Sequence, residues 1–155
     1  VTTMPRNSNQ RNGSILFWSA ETWAFLSLRL FLSLRFLTAG LGKFNNEGSY
    51  SITNLYDRFL AGRIEAFSNS TNLPSFLFSP FLYSLAYIEI LLGTALLLGI
   101  RTKHTLAVTS LIYVCLAYGL MLLGNIDGVT NNGVHLLITA AALYFVRHNK
   151  FELLR

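Results

Sequence analysis

The chain has 155 residues, of which 52% are hydrophobic and 12% charged, with a formal net charge of +5. A soluble domain carries about 25% charged residues, and a chain this short exposes too much of its surface to hide so much apolar side chain in one core. The composition excludes an ordinary soluble domain and points to lipid as the solvent. The basic excess falls in short segments between apolar runs, so it is read as membrane orientation, and nucleic-acid binding is not expected.

Residues 1–14 form a polar tail with Arg6 and Arg11, and Ser14 is placed to cap the helix after it. No cleavable signal peptide is expected, because the apolar stretch from Ile15 has no small-residue cleavage site behind a short hydrophobic region. That stretch runs to Lys43, interrupted by Glu21, Arg29 and Arg35. Trp18 and Trp23 suit the headgroup level, which leaves a first span over residues 24–42. A polar connection follows over 44–79. Within it Leu55, Phe59, Ile64 and Phe67 recur at helical spacing. They predict a short amphipathic helix over 54–68, lying on the membrane or capping the bundle.

Pro74 and Pro80 are expected to break the chain before a second span, 81–100, whose single charge is Glu89. Arg101, Lys103 and His104 make a tight basic turn. A third span, 105–124, carries no charge. A Gly/Asn/Asp loop over 125–132 leads to a fourth span at 129–146 and a tail at 148–155. The expected architecture is all-α: an integral membrane four-helix bundle over 15–147. The N-tail, the Arg101 turn and the C-tail hold Arg6, Arg11, Arg101, Lys103, Arg147, Lys150 and Arg155; the other side holds Lys43, Arg58 and Arg63, offset by Glu47, Asp57, Glu65 and Asp127. Lys and Arg favour the cytoplasmic face. Both termini are therefore expected inside, with 44–79 as an outer loop, and a bacterial inner membrane is the expected location.

A charge at mid-bilayer costs about 2.5–3.5 kcal/mol on insertion scales, so it faces the bundle interior, finds a partner or snorkels to the interface. Counting from the outer ends of their spans at the helical rise puts Arg35 about 10 Å deep and Glu89 about 12 Å deep. An Arg35–Glu89 ion pair, direct or through water, is expected. It reads equally well as a ligand or proton site and as a pair that only fixes helix register. Arg29 sits lower and is expected to snorkel toward the cytoplasmic headgroups, with Glu21 as its partner or facing water. His135 lies just inside the outer end of the fourth span. It reads mainly as a hydrogen-bonded helix residue, and a proton relay through it has weak support. No second His or Cys stands at ligand spacing, so no metal is expected. The lone Cys115 reads as a small buried hydrophobe. Small residues such as Gly40, Gly93 and Gly99 would let helices approach closely.

Two segments resemble a known family. LRLFLSLRFLTAGLGKF (Leu28 to Phe44) is similar to the first span of DoxX-type membrane proteins, where an Arg opens the helix and a Gly–Lys pair ends it. YIEILLGTALLLGIRTK (Tyr87 to Lys103) resembles their second span, with a Glu, two Gly and a basic turn, and Leu73-Pro74 fits ahead of it. The likeness covers roughly residues 24–148, mainly as hydropathy in spans three and four. The matching positions are Arg29, Gly40, Lys43, Glu89, Gly93 and Gly99, and Arg35 falls outside the pattern. The resemblance implies a small four-helix membrane protein linked with redox systems, relatives of which include the membrane part of a thiosulfate:quinone oxidoreductase.

The leading expectation is an accessory subunit of a larger membrane electron-transfer complex. The alternatives are a quinone-interacting membrane subunit, with Arg35, Glu89 and His135 near the headgroup, and a small solute or proton carrier. No phosphate loop, nucleophile elbow or HExxH motif is present, and catalysis by the chain alone is not expected. If it is part of an enzyme, that enzyme is a quinone-linked oxidoreductase. No resident cofactor is expected, which leaves a quinone or a lipid as the ligand class, with the bilayer and a larger complex as partners.

Overall fold

The structure is a computed structural model that describes residues 18–154. The polar tail with Arg6, Arg11 and the Ser14 cap lies outside the described residues. Helix α1 covers Ala20–Gly42, α2 Ala61–Ser70, α3 Ser75–Leu98, α4 Thr102–Leu122 and α5 Ile126–Phe145, the last continued by a 3₁₀ turn at Val146–His148. Four of these, α1, α3, α4 and α5 with its 3₁₀ turn, are long and apolar enough to cross a membrane.

Their packing is that of a protein surrounded by lipid. Large apolar side chains point outward, among them Leu34, Leu91, Leu111 and Leu137, each more than half exposed. The interior takes Thr22, Arg29, Ser33, Glu89, Thr102, Thr109, Asn132, His135 and Thr139. Water would reverse this arrangement, whereas hydrocarbon accepts it because the polar groups are turned toward one another.

Each helix end has a local cause. Ser19 caps α1 by accepting from the Thr22 backbone N–H at 3.4 Å. Gly99, at φ 71°, supplies the left-handed residue that ends α3. Asn125 caps α5, its side chain accepting from Gly128 N–H at 2.9 Å. Residues 125–132, expected as a loop, are therefore mostly the first turns of α5. The Asn and Gly that suggested a loop act at its N-terminus. Pro80 lies inside α3 and does not precede it. α3 begins at Ser75, right after Pro74, so Pro80 falls in its second turn, just past the first-turn N–H groups that lack a helical partner, and the helix runs through it with one i→i−4 bond fewer.

α1 lies between α3 and α5, and α5 packs on α4. α3 and α4 make little contact with each other although a short turn joins them. Gly40 and Gly93 permit the α1–α3 approach. A Cβ on Gly40 would lie 3.0 Å from the Ala86 carbonyl, and one on Gly93 2.9 Å from the Leu37 backbone nitrogen. Ser33 Oγ donates to the Gly93 carbonyl across this seam at 2.8 Å.

The 44–79 connection holds more structure than one amphipathic helix. A small hairpin pairs Asn45–Asn46 with Ser49–Tyr50. Residues Asn54–Leu60 then wind as a π-helix that runs directly into α2. Leu55, Leu60 and Phe67 are buried against Leu82 and Ala86 of α3, with Phe59 and Ile64 packed at the edge. The helical stripe read from the sequence thus caps the bundle.

The opposite end is closed by the C-terminal segment. Arg101 N–H donates to the Leu154 carbonyl at 2.8 Å, and Leu153 N–H to the Gly99 carbonyl at 3.2 Å. Trp18 packs on Phe151 at 6.0 Å between ring centroids. The start of α1, the Arg101 turn and the C-terminal segment therefore share one end. Arg29 does not snorkel: it is 2% exposed, and its guanidinium donates to Asn149 Oδ1 and the Phe151 carbonyl. The end of the chain folds over it and supplies acceptors that headgroups would otherwise provide.

Candidate functional site

The polar residues at the α2 end of the bundle come from three helices. Lys43 is the C-cap of α1, and its side chain turns back down the helix. It donates to the Ala39 carbonyl at 3.2 Å and forms an ion pair with Glu89 of α3. Both side chains are nearly buried, and Phe59 covers the ammonium at 5.2 Å from its ring centroid.

No direct Arg35–Glu89 ion pair is formed: Glu89 pairs with Lys43, and the reason is register. Gly40 lies against Ala86 and Ile90, and Gly93 against Ser33 and Leu37. These contacts put Glu89 level with Ala39, one turn from Lys43 and one turn from Arg35. Counting from Phe81 shifted α3 because the helix starts at Ser75. The Lys43 stem spans its turn, while Arg35 is engaged elsewhere.

Arg35 Nε donates to His135 Nε2 at 3.3 Å. His135 Nδ1 lies 2.6 Å from the Asn131 carbonyl, an acceptor only, so Nδ1 carries the proton and Nε2 is the lone-pair nitrogen that receives Arg35. The ring is stacked between Phe31 and Tyr113, at 5.9 and 5.6 Å. Its two partners are a guanidinium and a backbone carbonyl, neither of which exchanges protons readily, so this geometry has His135 orient Arg35. Among the described residues Arg35 has no carboxylate partner, because Glu89 is paired with Lys43.

A cavity of about 450 Å³ opens beside this cluster, within the range of roughly 300–1,000 Å³ typical of small-molecule sites. Arg35, Lys43, Glu89 and Asn132 line its polar end. Leu82 and Leu85 of α3 and Leu116 and Leu120 of α4 line its apolar flanks. It occupies the gap that the weak α3–α4 contact leaves. Phe59, Arg63 and Phe67, from the π-helix and α2, form its roof. Cys115 also lines it and is exposed.

Sequence reasoning did not single out Asn132. It is 92% buried, at 8% exposure, and its carboxamide has no hydrogen-bond partner among the described residues. The signal was available: Asn132, His135, Thr139 and Ala142 form one buried stripe on α5.

A DoxX family model matches residues 24–124, well over half of the chain. The chain belongs to the DoxX family. Neither among curated proteins nor among solved structures does it find a match. The family span takes in α1 through α4 and with them Arg29, Gly40, Lys43, Glu89, Gly93 and Gly99. In this DoxX-family protein those six positions have distinct physical roles. Gly40 and Gly93 set the α1–α3 contact, and Lys43 and Glu89 form the pair beside the cavity. Gly99 sits under the C-terminal segment, where a Cβ would lie 3.0 Å from Arg29 Nη1.

Proposed function

We propose that this DoxX-family protein serves a membrane electron-transfer assembly as a small accessory subunit that holds an amphipathic membrane molecule in the cavity between α3 and α4. The cavity carries the reading. Its walls are apolar, its inner end presents Arg35 and an unsatisfied Asn132, and its side faces lipid along the α3–α4 gap. A molecule with a polar head and an oily tail matches that gradient, which leaves a quinone or a lipid as occupant.

The residues fit a quinone in outline: Arg35 and Asn132 offer donors to ring carbonyls, and the α3 and α4 leucines suit an isoprenoid tail. A quinone held there would supply two-electron carriage, with the redox centre on a partner subunit. The basic end, with Arg101, Lys103, Arg147 and Lys150, faces the cytoplasm in this reading and the cavity faces the opposite leaflet.

Native mass spectrometry of the protein extracted in mild detergent tests both parts. The expected spectrum shows larger subunits in fixed ratio and one bound amphiphile per chain. A bare, lone chain overturns the reading, and so does pH-dependent solute flux into liposomes from the purified chain alone, which would make it a carrier.

A further inference from the structure

The cavity's polar end is short of negative charge. Arg35, Lys43 and Arg63 line it against the single carboxylate of Glu89. Lys43 takes that carboxylate, and His135, a neutral ring in the tautomer its contacts fix, engages only Arg35 Nε. The two terminal nitrogens of Arg35 are left as a donor fork at the end of an apolar cavity. Among the described residues no side chain hydrogen-bonds or salt-bridges to them, and the Glu89 carboxylate in the cavity lining is paired with Lys43. Arg35 is half-buried, and its planar fork matches carboxylate and phosphate oxygens. Asn132 adds an amide whose hydrogen-bonding capacity is unused, from a side chain 92% buried in the same wall.

We infer that the cavity binds an acyl-chain amphiphile with a compact anionic head, a carboxylate or a phosphate, held by Arg35 and Asn132, with its tail leaving between α3 and α4. This rests on the cavity being the ligand site and chooses an anionic lipid over a neutral quinone as its occupant. Phe67 and Phe78 stack at 5.2 Å near the roof, and the α3 and α4 leucines continue the apolar path toward the bilayer. Lys43, already paired with Glu89, supports the head electrostatically without contacting it.

The test is equilibrium binding of radiolabelled hexadecanoate to the delipidated full chain in a neutral detergent. Hexadecyl phosphate, hexadecanol and decylubiquinone serve as competitors. Hexadecanoate is expected to bind saturably at one site per chain, and hexadecanol to compete about tenfold or more weakly, the loss of one charge-assisted hydrogen bond. Competition by hexadecyl phosphate stronger than by unlabelled hexadecanoate assigns the site to a phosphate head; the reverse assigns it to a free fatty acid. Arg35→Gln is expected to abolish the preference for the anion over the alcohol. Asn132→Leu is expected to weaken binding of both anions. Arg35→Lys keeps the charge and folds under the same demand, and it should retain anion preference with reduced affinity. Equal competition by hexadecanol or decylubiquinone overturns the anionic head while leaving the cavity as a ligand site. Absence of saturable binding by every probe overturns the site itself.

Discussion

At the scale of single residues, the pair of Lys43 and Glu89 and the pair of Arg35 and His135 divide the work that one expected ion pair would have done. A buried ion pair is near neutral for stability as a unit, but removing one partner leaves the other uncompensated at about 3–5 kcal/mol. The two halves of this pair are not equivalent. Lys43 caps its helix and can swing its ammonium toward headgroups when Glu89 is lost. Glu89 is fixed within α3 on a short side chain. Lys43→Met is therefore expected to lower the melting temperature in detergent more than Glu89→Gln, and the Lys43→Met/Glu89→Leu double variant should recover most of the loss. Equal effects of the two single variants, or a double variant worse than either, would contradict the pairing. Charge and polarity at Glu89, Arg35 and His135 were legible in the sequence. Their partners were not, because a partner is set by helix register, and register depends on where α3 begins. Reading Pro80 as a breaker moved that start by six positions. Asn132 was missed for a similar reason: its Asn- and Gly-rich surroundings read as a loop, although they open a helix.

At the scale of elements, the α1–α3 contact is the tightest seam, and its glycines explain it. A methyl at Gly93 meets Leu37 and Ser33 backbone atoms at 2.9 and 3.0 Å, so it cannot be accommodated by a side chain moving aside. Gly93→Ala is expected to destabilise by about 1–3 kcal/mol, as overpacking does, read as a lowered unfolding midpoint in detergent. Gly62→Ala serves as the opposite case. Gly62 lies in α2 with nothing within 4 Å of its Cβ position, so alanine should stabilise by up to about 1 kcal/mol through helix propensity. If both substitutions behave alike, close approach at Gly93 is not what holds the two helices. The small residues were visible in the sequence as candidates for close contact, whereas the π-helical start of the capping segment was not. Its side chains keep a roughly helical stripe whether the backbone is wound as α or π.

At the scale of the whole molecule, four antiparallel spans leave one seam open. The chain spends its close contacts on α1–α3 and α4–α5, and α1 bridges the two pairs. α3 and α4 make little contact along their length, and the C-terminal segment and Arg29 pin the end near the Arg101 turn that joins them. At the other end they splay, and the π-helix with α2 roofs the gap. The four spans could be read from hydropathy alone, because length and apolarity fix them. The cavity could not, since it comes from a seam that fails to close. Cys115, the only cysteine in the chain, lies on the wall of that cavity. It is therefore a built-in reporter for the central claim that a membrane amphiphile occupies the α3–α4 gap. The decisive measurement is the labelling rate of Cys115 by a membrane-permeant maleimide in vesicles, with and without added acyl amphiphile. The account predicts labelling from within the bilayer that saturating acyl carboxylate slows severalfold in the native chain, with a higher concentration needed for the same protection in Arg35→Gln. A rate that the amphiphile leaves unchanged in the native chain would contradict it.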